Sequence, residues 1–322
     1  MSTRQKKVVV IGGGTGLPVL LRGLKHHPVC LSAIVTVADD GGSSGRLRKD
    51  LDIPPPGDIR NVLAALSDVE PLVEQMFQHR FKTSNELAGH SLGNLIIAAM
   101  TNITGDFVHA VQEMSKVLNV RGTVLPAARE SVVLHAEMSD GTIVSGESAI
   151  PLAKKEIKRV FLTPAKVETV PETLQAIEEA DLILIGPGSL YTSIIPNLLV
   201  PGIQTALQNA KAEKIYICNL MTQLGETLHY SASDHIEALF HHLGGKFIDT
   251  ILVNNEQVPI DILEQYKEEL AQPVVFDIER LQELGLNVMI EDILTYQGGY
   301  LRHKTDRVAK LLVERLAQSP RS

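Results

Sequence analysis

The sequence has no tryptophan, only 4% aromatic residues and only two cysteines among its 322 residues. A core with so few aromatic side chains has to be built mostly from Leu, Ile, Val and Ala, which suits strands covered by helices on both faces. Cys30 and Cys218 lie in apolar runs that predict strands. This placement favours buried thiols in a reducing compartment over a disulfide.

Long apolar runs and an excess of positive charge are also missing. No run approaches the roughly 18 apolar residues that a transmembrane helix needs, and the apolar run 8–11 is too short for the core of a signal peptide. A formal net charge of −8 argues against a nucleic-acid groove as the main surface. We therefore expect a cytoplasmic protein with no membrane span and no nucleic-acid partner.

The order of apolar patterns predicts the fold class. Residues 8–11 form a continuous apolar run, residues 17–24 have helical spacing, and residues 31–38 are apolar again, which predicts a βαβ unit. The same alternation returns after residue 170, with strands expected at 182–185, 215–219 and 251–254 and helices at 171–180, 203–210, 234–243 and 306–318. The pattern predicts an α/β protein, a three-layer α/β/α fold with a mostly parallel Rossmann-like sheet, in one domain over residues 1–318.

The middle of the chain has a different residue pattern. Residues 39–58 are polar and rich in Gly, Ser and Pro, which predicts a long functional loop ending at Asp58 as a helix N-cap. Helices are expected at 58–67, 71–81, 91–101 and 107–119. Between residues 121 and 162, apolar and polar residues alternate around the turn Asp140-Gly141, which predicts a small antiparallel β-hairpin insertion.

A glycine-rich turn follows the first predicted strand and opens the first helix. It contains Gly13, Gly14, Thr15 and Gly16, and such a turn at a helix N-terminus can bind phosphate through its backbone N–H groups. No Gly-Lys-Ser/Thr follows, so this is not a P-loop, and Val19 stands where the dinucleotide fingerprint has its third glycine. Phosphate binding is the favoured interpretation, with a turn that only packs helix on strand as the alternative.

Two acidic residues, Asp39 and Asp40, end the second predicted strand, at the sheet edge where open α/β sheets bind ligands. Such acids either hold a ribose hydroxyl or, as a pair, a divalent cation such as Mg²⁺. Ser43, Ser44 and Arg46 follow and add donors and a positive charge for phosphate. A solvated turn is the alternative.

Four further segments place small polar residues at predicted helix starts or strand ends, where they can cap a helix or bind an anion. The candidate ligand contacts in them are Asp58, Asn61, His90, Ser91, Asn94, Gly188, Ser189, Thr192, Ser193 and Asn219. The sequence contains no His-Glu-x-x-His zinc motif and no Gly-x-Ser-x-Gly nucleophile motif. We assign no catalytic residue, and a binding or regulatory role is favoured, while catalysis through Asp39, Asp40 and a metal stays open.

Taken together, these motifs resemble the gluconeogenesis factor family, the YvcK-type proteins, which is related to the 2-phospho-L-lactate transferases of coenzyme F420 biosynthesis (CofD-like proteins). The resemblance runs in order from about residue 7 to 315. It is carried by residues 11–18, 37–46, 54–61, 89–94, 186–197 and 219–227.

The resemblance implies a regulatory protein that binds UDP-sugars such as UDP-N-acetylglucosamine and acts in cell shape and wall synthesis during gluconeogenic growth. It also implies ligand contacts at Tyr266 and Arg302, and in the transferase branch a metal and phosphate site at the acidic pair. The chain departs from the transferases after Asp40, where a Gly-Ser-rich stretch and Pro54–Pro56 stand. A Mg²⁺-dependent transferase and an NAD(P)-binding protein are the alternatives.

We also expect a homo-oligomer and a regulatory protein partner. Thr305 stands at a predicted helix start beside basic residues. A phosphate added there would be stabilised by the helix N-terminus, which makes Thr305 a hypothetical signalling input. A plain threonine at a helix start is the alternative.

Overall fold

The centre of the protein, described here from a computed structural model that covers residues 4–82 and 85–318, is a sheet of seven parallel strands. Residues 1–3 of the predicted domain lie outside the described residues. The strands of the protein are β1 Lys6–Gly12, β2 Val29–Val35, β3 Thr123–Pro126, β4 Val133–Met138, β5 Ile143–Ser145, β6 Ile157–Thr163, β7 Leu182–Ile185, β8 Glu213–Ile217, β9 Thr250–Asn254, β10 Asn287–Glu291, β11 Leu294–Gln297 and β12 Tyr300–His303.

The helices flank and connect these strands. They are α1 Gly16–Leu24, α2 Gly42–Leu51, α3 Gly57–Leu66, α4 Pro71–Gln78, α5 Leu92–Thr104, α6 Phe107–Val117, α7 Pro171–Glu178, α8 Ile195–Leu198, α9 Ile203–Asn209, α10 Ala232–Leu243, α11 Ile260–Gln265, α12 Ile278–Glu283 and α13 Thr305–Gln318, with a π-helical turn at Leu190–Ile194 and a 3₁₀ turn at Pro151–Ala153. No helix in these described parts of the chain is both long and apolar enough to span a bilayer.

The strand order in the central sheet is β10-β9-β8-β7-β1-β2-β3, and every neighbouring pair is parallel. From β1 the chain adds β2 and β3 on one side of the sheet, and from β7 it adds β8, β9 and β10 on the other side. Because the crossovers are right-handed, the helices that connect these two groups of strands lie on opposite faces of the sheet. On one face α1 packs on α3 and α13, and elsewhere α7 packs on α9 and α10 on α12. The predicted three-layer fold with a Rossmann-like sheet is confirmed.

Burial explains why the sequence forms these central strands. Residues Val8, Val10 and Ile11 of β1 are at most 1% exposed, and all four residues of β7 are buried. A strand buried on both faces needs a continuous apolar run, which is the pattern the sequence has there. Because the strands are parallel, their carboxyl ends all meet at one edge of the sheet, and the switch in strand order falls between β1 and β7.

The small antiparallel sheet is a three-stranded unit with the order β5-β4-β6. The predicted hairpin around Asp140-Gly141 is present, but the insertion begins later than residue 121. Strand β3 belongs to the central sheet, where it pairs with β2 and buries Val124 and Leu125. These two apolar side chains complete the edge of the parallel sheet, which explains the difference.

Two other expectations were wrong in detail. The predicted loop 39–58 contains α2, because Leu47 packs in a small apolar cluster with Ile53 and Ala98. Cys30 is exposed and donates its thiol to the Gln5 side-chain oxygen, because it lies near the amino end of β2, beside an open cavity. Cys218 is buried as expected.

Candidate functional site

The first glycine turn joins β1 to α1 at the carboxyl edge of the sheet. Gly14 has φ of +63°, in the left-handed region that favours glycine. Its N–H donates to the Asp58 carboxylate at 2.8 Å. A Cβ added to Gly16 would come within 3.1 Å of the backbone of Pro187. The first turn and the loop after β7 are therefore packed backbone to backbone, and the glycines permit that approach.

A cavity of about 570 Å³ opens where these two loops meet. This volume lies within the range of small-molecule sites, about 300–1,000 Å³. Seven of the predicted ligand contacts line it, and they come from five separate segments of the chain. They are Thr15, Gly16, Gly188, Ser189, Asn219, Tyr266 and Arg302. The structure thus brings together residues that the sequence places up to 287 positions apart, counted from Thr15 to Arg302.

Part of the cavity wall is aromatic and basic. The Leu301 N–H donates to the Tyr266 hydroxyl at 2.7 Å, which ties α11 to β12. The Arg302 guanidinium carbon lies 5.7 Å from the centroid of the Tyr300 ring, within the range of a cation–π contact. The hairpin of β11 and β12 therefore presents a positively charged group and aromatic rings next to glycine-rich loops.

His303 follows Arg302 on β12 and also lines the cavity. Its Nε2 lies 3.1 Å from the carbonyl oxygen of Cys218. Since a carbonyl only accepts, this nitrogen carries the proton. Burial lowers the pKa of His303 to about 4, so the ring is neutral at physiological pH. The sequence analysis did not identify this residue, although it lies next to Arg302.

Several of the remaining predicted contacts, among them Ser43, His90, Ser91 and Asn94, form a second, buried polar network outside the lining of this cavity. The Ser43 hydroxyl lies 3.0 Å from His90 Nδ1 and accepts from the Asn94 side chain at 3.1 Å. Ser91 is the N-cap of α5, where its hydroxyl accepts the N–H of Asn94, as the helix-start pattern predicts. The hydroxyl of Ser44 lies against Gly57 at the start of α3.

Arginines complete this network. Arg60 donates to the Ser91 hydroxyl at 2.6 Å and to the Asn61 side-chain oxygen at 2.7 Å. Arg46 donates to the carbonyl of Ala88. In this structure Arg46 and Asn61 therefore bind other parts of the protein, and their role toward a ligand stays a prediction.

Asp58 does not cap its helix. The N-cap of α3 is Pro56, and Asp58 lies in the first turn with its carboxylate accepting the Gly14 N–H. Burial raises the pKa of Asp58 to about 6, opposed by the Gly14 hydrogen bond and reinforced by the charge of Asp39. Pro56 already fixes the helix start, so the carboxylate is free to brace the glycine turn.

The adjacent acids Asp39 and Asp40 have different neighbours. Asp39 accepts the N–H of Gly41 at 2.8 Å, while Asp40 accepts the N–H of Ser148, in the β-insertion, at 2.9 Å. Among residues 4–82 and 85–318, no group of three or more His, Cys, Asp or Glu side chains is arranged to hold a metal ion. These residues offer Mg²⁺ two carboxylates with separate partners rather than a converging set. The predicted Mg²⁺ site stays a prediction.

A buried acid that the sequence analysis missed holds the loop after β7. Glu226 accepts the N–H of Tyr191 at 3.0 Å and the hydroxyl of Thr192 at 2.7 Å. Burial raises the pKa of Glu226 to about 7, against these hydrogen bonds. The chain's own carboxylate thus occupies donors that were predicted for a ligand at Thr192. The Ser193 hydroxyl lies beside Gly14, and a Cβ added to that glycine would be 3.1 Å from it.

Glu147, from the β-insertion, is a second acid that sequence reasoning missed. Burial, followed by the charges of Asp58 and Asp39, raises its pKa well above the usual range, and one of its carboxylate oxygens is buried without a partner. No local pattern marks Glu147. Glu226 could have been found, because it lies in the segment 219–227 that already carried the family resemblance.

A slightly larger cavity of about 620 Å³ lies at the opposite edge of the sheet, at the amino ends of β1, β2 and β3. Its basic residues have partners in the protein. Lys7 pairs with Glu179, and Arg121 pairs with Asp68. The carboxyl edge, where the glycine-containing loops after β1 and β7 meet, remains the better candidate for a ligand site.

The fold and this site define a Rossmann-like α/β protein with its candidate ligand cavity at the switch point of a parallel sheet. A family model described as "2-phospho-L-lactate transferase CofD" matches residues 8–294. The gluconeogenesis factor of Bacillus subtilis (strain 168) is 66% identical over 315 residues, which cover 98% of this chain and 99% of the relative. The gluconeogenesis factor of Halalkalibacterium halodurans is 59% identical over 97% of both chains.

A solved structure agrees with these relatives. The crystal structure of a Bacillus halodurans protein superposes with a TM-score of 0.95 at 59% identity and covers 96% of this chain and all of that one. The chain belongs to the gluconeogenesis factor family, which is related to the 2-phospho-L-lactate transferases.

Proposed function

We propose that this protein is a UDP-sugar-binding regulatory protein, with a ligand of the UDP-N-acetylglucosamine type in the cavity of about 570 Å³. The observation that carries the proposal is the composition of this cavity. Two glycine-containing loops, an arginine and two tyrosines line the same space. This combination suits a ligand that has a diphosphate between two rings.

Each part of such a ligand has a suitable partner. Backbone N–H groups at the start of α1 and in the loop after β7 suit the negative diphosphate, and the Arg302 guanidinium can bind it with two parallel hydrogen bonds. The rings of Tyr266 and Tyr300 offer flat apolar faces for uracil or a sugar. Asp39 is outside the cavity lining, which disfavours the NAD(P) alternative, since that alternative uses the acid to hold the ribose.

The biological role in this proposal is regulatory and cytoplasmic. Ligand occupancy would report the supply of a cell-wall precursor and would adjust cell shape and wall synthesis during gluconeogenic growth. Thr305, the first residue of α13, lines the same cavity. This position supports the hypothesis that a modification of Thr305 alters ligand binding.

Isothermal titration with UDP-N-acetylglucosamine tests the proposal. We expect saturable binding without added metal, and weaker or no binding of NAD and GDP. Arg302→Lys should weaken binding nearly as much as Arg302→Ala, by about 1–3 kcal/mol, because lysine cannot reproduce the two parallel hydrogen bonds. Arg307→Ala is the matched control, since this exposed arginine pairs with Glu291 outside the cavity lining.

Full-strength binding by Arg302→Ala would contradict the role of this arginine, and no binding of any UDP-sugar by the wild type would overturn the proposed function. The transferase alternative is supported by the matching family model and by the acids Asp39 and Asp40. Binding that requires Mg²⁺, together with a new product seen by chromatography after incubation with a nucleotide-diphosphate donor, would favour that alternative.

A further inference from the structure

One ring nitrogen of His303 is hydrogen-bonded within the protein, and the other is available to a ligand. The hydrogen-bonded nitrogen is Nε2, which lies 3.1 Å from the carbonyl oxygen of Cys218, the residue after β8. Because a carbonyl has no proton to give, Nε2 must be the protonated nitrogen. In the neutral ring Nδ1 then has a lone pair and no hydrogen, so it can only accept a hydrogen bond.

The ring also has little freedom to change this state. His303 is partly buried between the cavity and the end of β8, and burial lowers its pKa to about 4. Its fixed tautomer makes the side chain unlike its neighbour Arg302, which has five N–H donors and no acceptor. One cavity wall therefore contains both a donor group and an acceptor group on consecutive residues.

These two groups suit different parts of one ligand. Phosphate oxygens are acceptors, so they match Arg302 and would be repelled by the lone pair of Nδ1. The donors of a UDP-sugar are the uracil N3–H and the hydroxyl and amide groups of its two sugars. Apolar side chains of Val19, Leu20 and Val308 also line the cavity. Among the polar side chains of the lining, the hydroxyl groups can both donate and accept, whereas the neutral His303 ring can only accept at Nδ1.

We propose that His303 is a specificity-determining residue, which accepts a hydrogen bond at Nδ1 from an N–H or O–H group of the ligand outside its phosphates. This inference rests on the proposed function. It predicts discrimination that the diphosphate contacts cannot provide, because it depends on which donor the ligand presents.

The experiment compares four ligands on three proteins by isothermal titration. The ligands are UDP-N-acetylglucosamine, UDP, 3-methyl-UDP and 2′,3′-dideoxy-UDP, which differ by loss of the sugar, the N3–H or the ribose hydroxyls. The proteins are wild type, His303→Leu and His303→Asn. Leucine has no acceptor, whereas asparagine has an oxygen at the level of Nδ1 but is too short to reach the Cys218 carbonyl as Nε2 does.

In the wild type, loss of the donor that His303 binds should weaken binding about three- to tenfold, the effect of one hydrogen bond. In His303→Leu that same change of ligand should have no effect, and His303→Asn should recover part of it. The ligand that shows this coupling identifies the donor as base, ribose or sugar. The exposed His241→Leu is the matched control and should behave as wild type.

Two results would be negative in different ways. If the wild type binds UDP-N-acetylglucosamine but every ligand difference is the same in wild type and His303→Leu, the role of His303 is overturned and the proposed function stands. If the wild type binds none of the four ligands, the proposed function itself fails. Thermal unfolding of each variant checks that a loss of binding does not come from a loss of fold.

Discussion

At the scale of single residues, Gly14 is the position of the first turn whose backbone has a conformation that residues with a side chain rarely adopt. Its φ is +63°, and an added Cβ would lie 3.1 Å from the Ser193 hydroxyl. We predict that Gly14→Val destabilises the protein by about 1–2 kcal/mol and weakens UDP-N-acetylglucosamine binding at least tenfold. The turn could not keep its N–H groups directed at a ligand. Chemical denaturation and titration calorimetry measure the two effects.

Gly141 provides a matched control for this prediction. It has φ of +82° in the hairpin turn of the β-insertion, and an added Cβ would meet nothing within 4 Å. Gly141→Val should cost a similar amount of stability and leave binding unchanged. Equal loss of binding in both variants would show that the loss reflects general strain, and the phosphate-binding role of the first turn would be wrong.

The sequence predicts some residues of the cavity and not others for a physical reason. Thr15, Gly16 and Ser189 lie in local patterns that have a meaning of their own, a glycine turn between strand and helix. His303 and Glu226 acquire their roles from partners 85 and 35 positions away, at Cys218 and Tyr191. Local patterns contain no record of those contacts, so the roles of these two residues can be assigned only after the fold is known, even though the family resemblance already included the segment of Glu226.

At the scale of helices and strands, the contact between α1 and α13 sets one wall of the cavity. Gly23 lies on α1 where α13 begins, and an added Cβ would lie 3.0 Å from the backbone oxygen of Thr305. Alanine normally stabilises a helix by about 1 kcal/mol relative to glycine. Here the close backbone should outweigh that gain, because a backbone oxygen cannot rotate away.

We therefore predict that Gly23→Ala destabilises the protein by about 1–2 kcal/mol and also weakens ligand binding, since Thr305 would be displaced. Urea denaturation and titration measure these effects. Arg22→Ala is the neighbouring control: its side chain is exposed and its ion pair with Glu74 is a surface pair at 3.6 Å, so it should change stability by less than about 0.5 kcal/mol. A more stable Gly23→Ala protein would contradict the prediction.

The sequence predicts the strands that are buried on both faces, but it does not predict the strands at the sheet edge and in the separate hairpin. Strands β1, β7 and β9 are buried on both faces, so apolar runs mark them. Strand β10 is the edge of the sheet and β12 belongs to a separate hairpin, and both have mostly exposed or half-buried residues. The apolar run of β10 is only three residues long and β12 has neither an apolar run nor a clear alternation, so the sequence analysis predicted no strand at either position.

At the scale of the whole molecule, some of the acidic residues that contribute to the formal net charge of −8 lie below the surface. Asp58, Glu147 and Glu226 are buried or nearly so near the carboxyl edge of the sheet, and in each case burial raises the pKa. A folded protein that raises the pKa of an acid binds the proton more tightly than the unfolded chain does. Ionising such an acid therefore costs folding free energy, and stability falls as the pH rises through the interval between the two pKa values.

Glu226 allows this effect to be measured, because its pKa rises from 4.5 to about 7. Its contribution should be absent below about pH 4.5, where both states are protonated, and complete above about pH 7, where both are ionised. Glu226→Gln can still accept from Tyr191 and can donate to Thr192. We predict that the difference in free energy of unfolding between this variant and wild type shifts in favour of the variant by about 2 kcal/mol between pH 5 and pH 8. Guanidinium denaturation across this range, with the exposed Glu178→Gln as control, measures the difference. Parallel pH profiles for wild type and Glu226→Gln would mean that the Glu226 carboxylate ionises in the folded protein at no extra cost, and that its role in holding the loop after β7 does not depend on its charge.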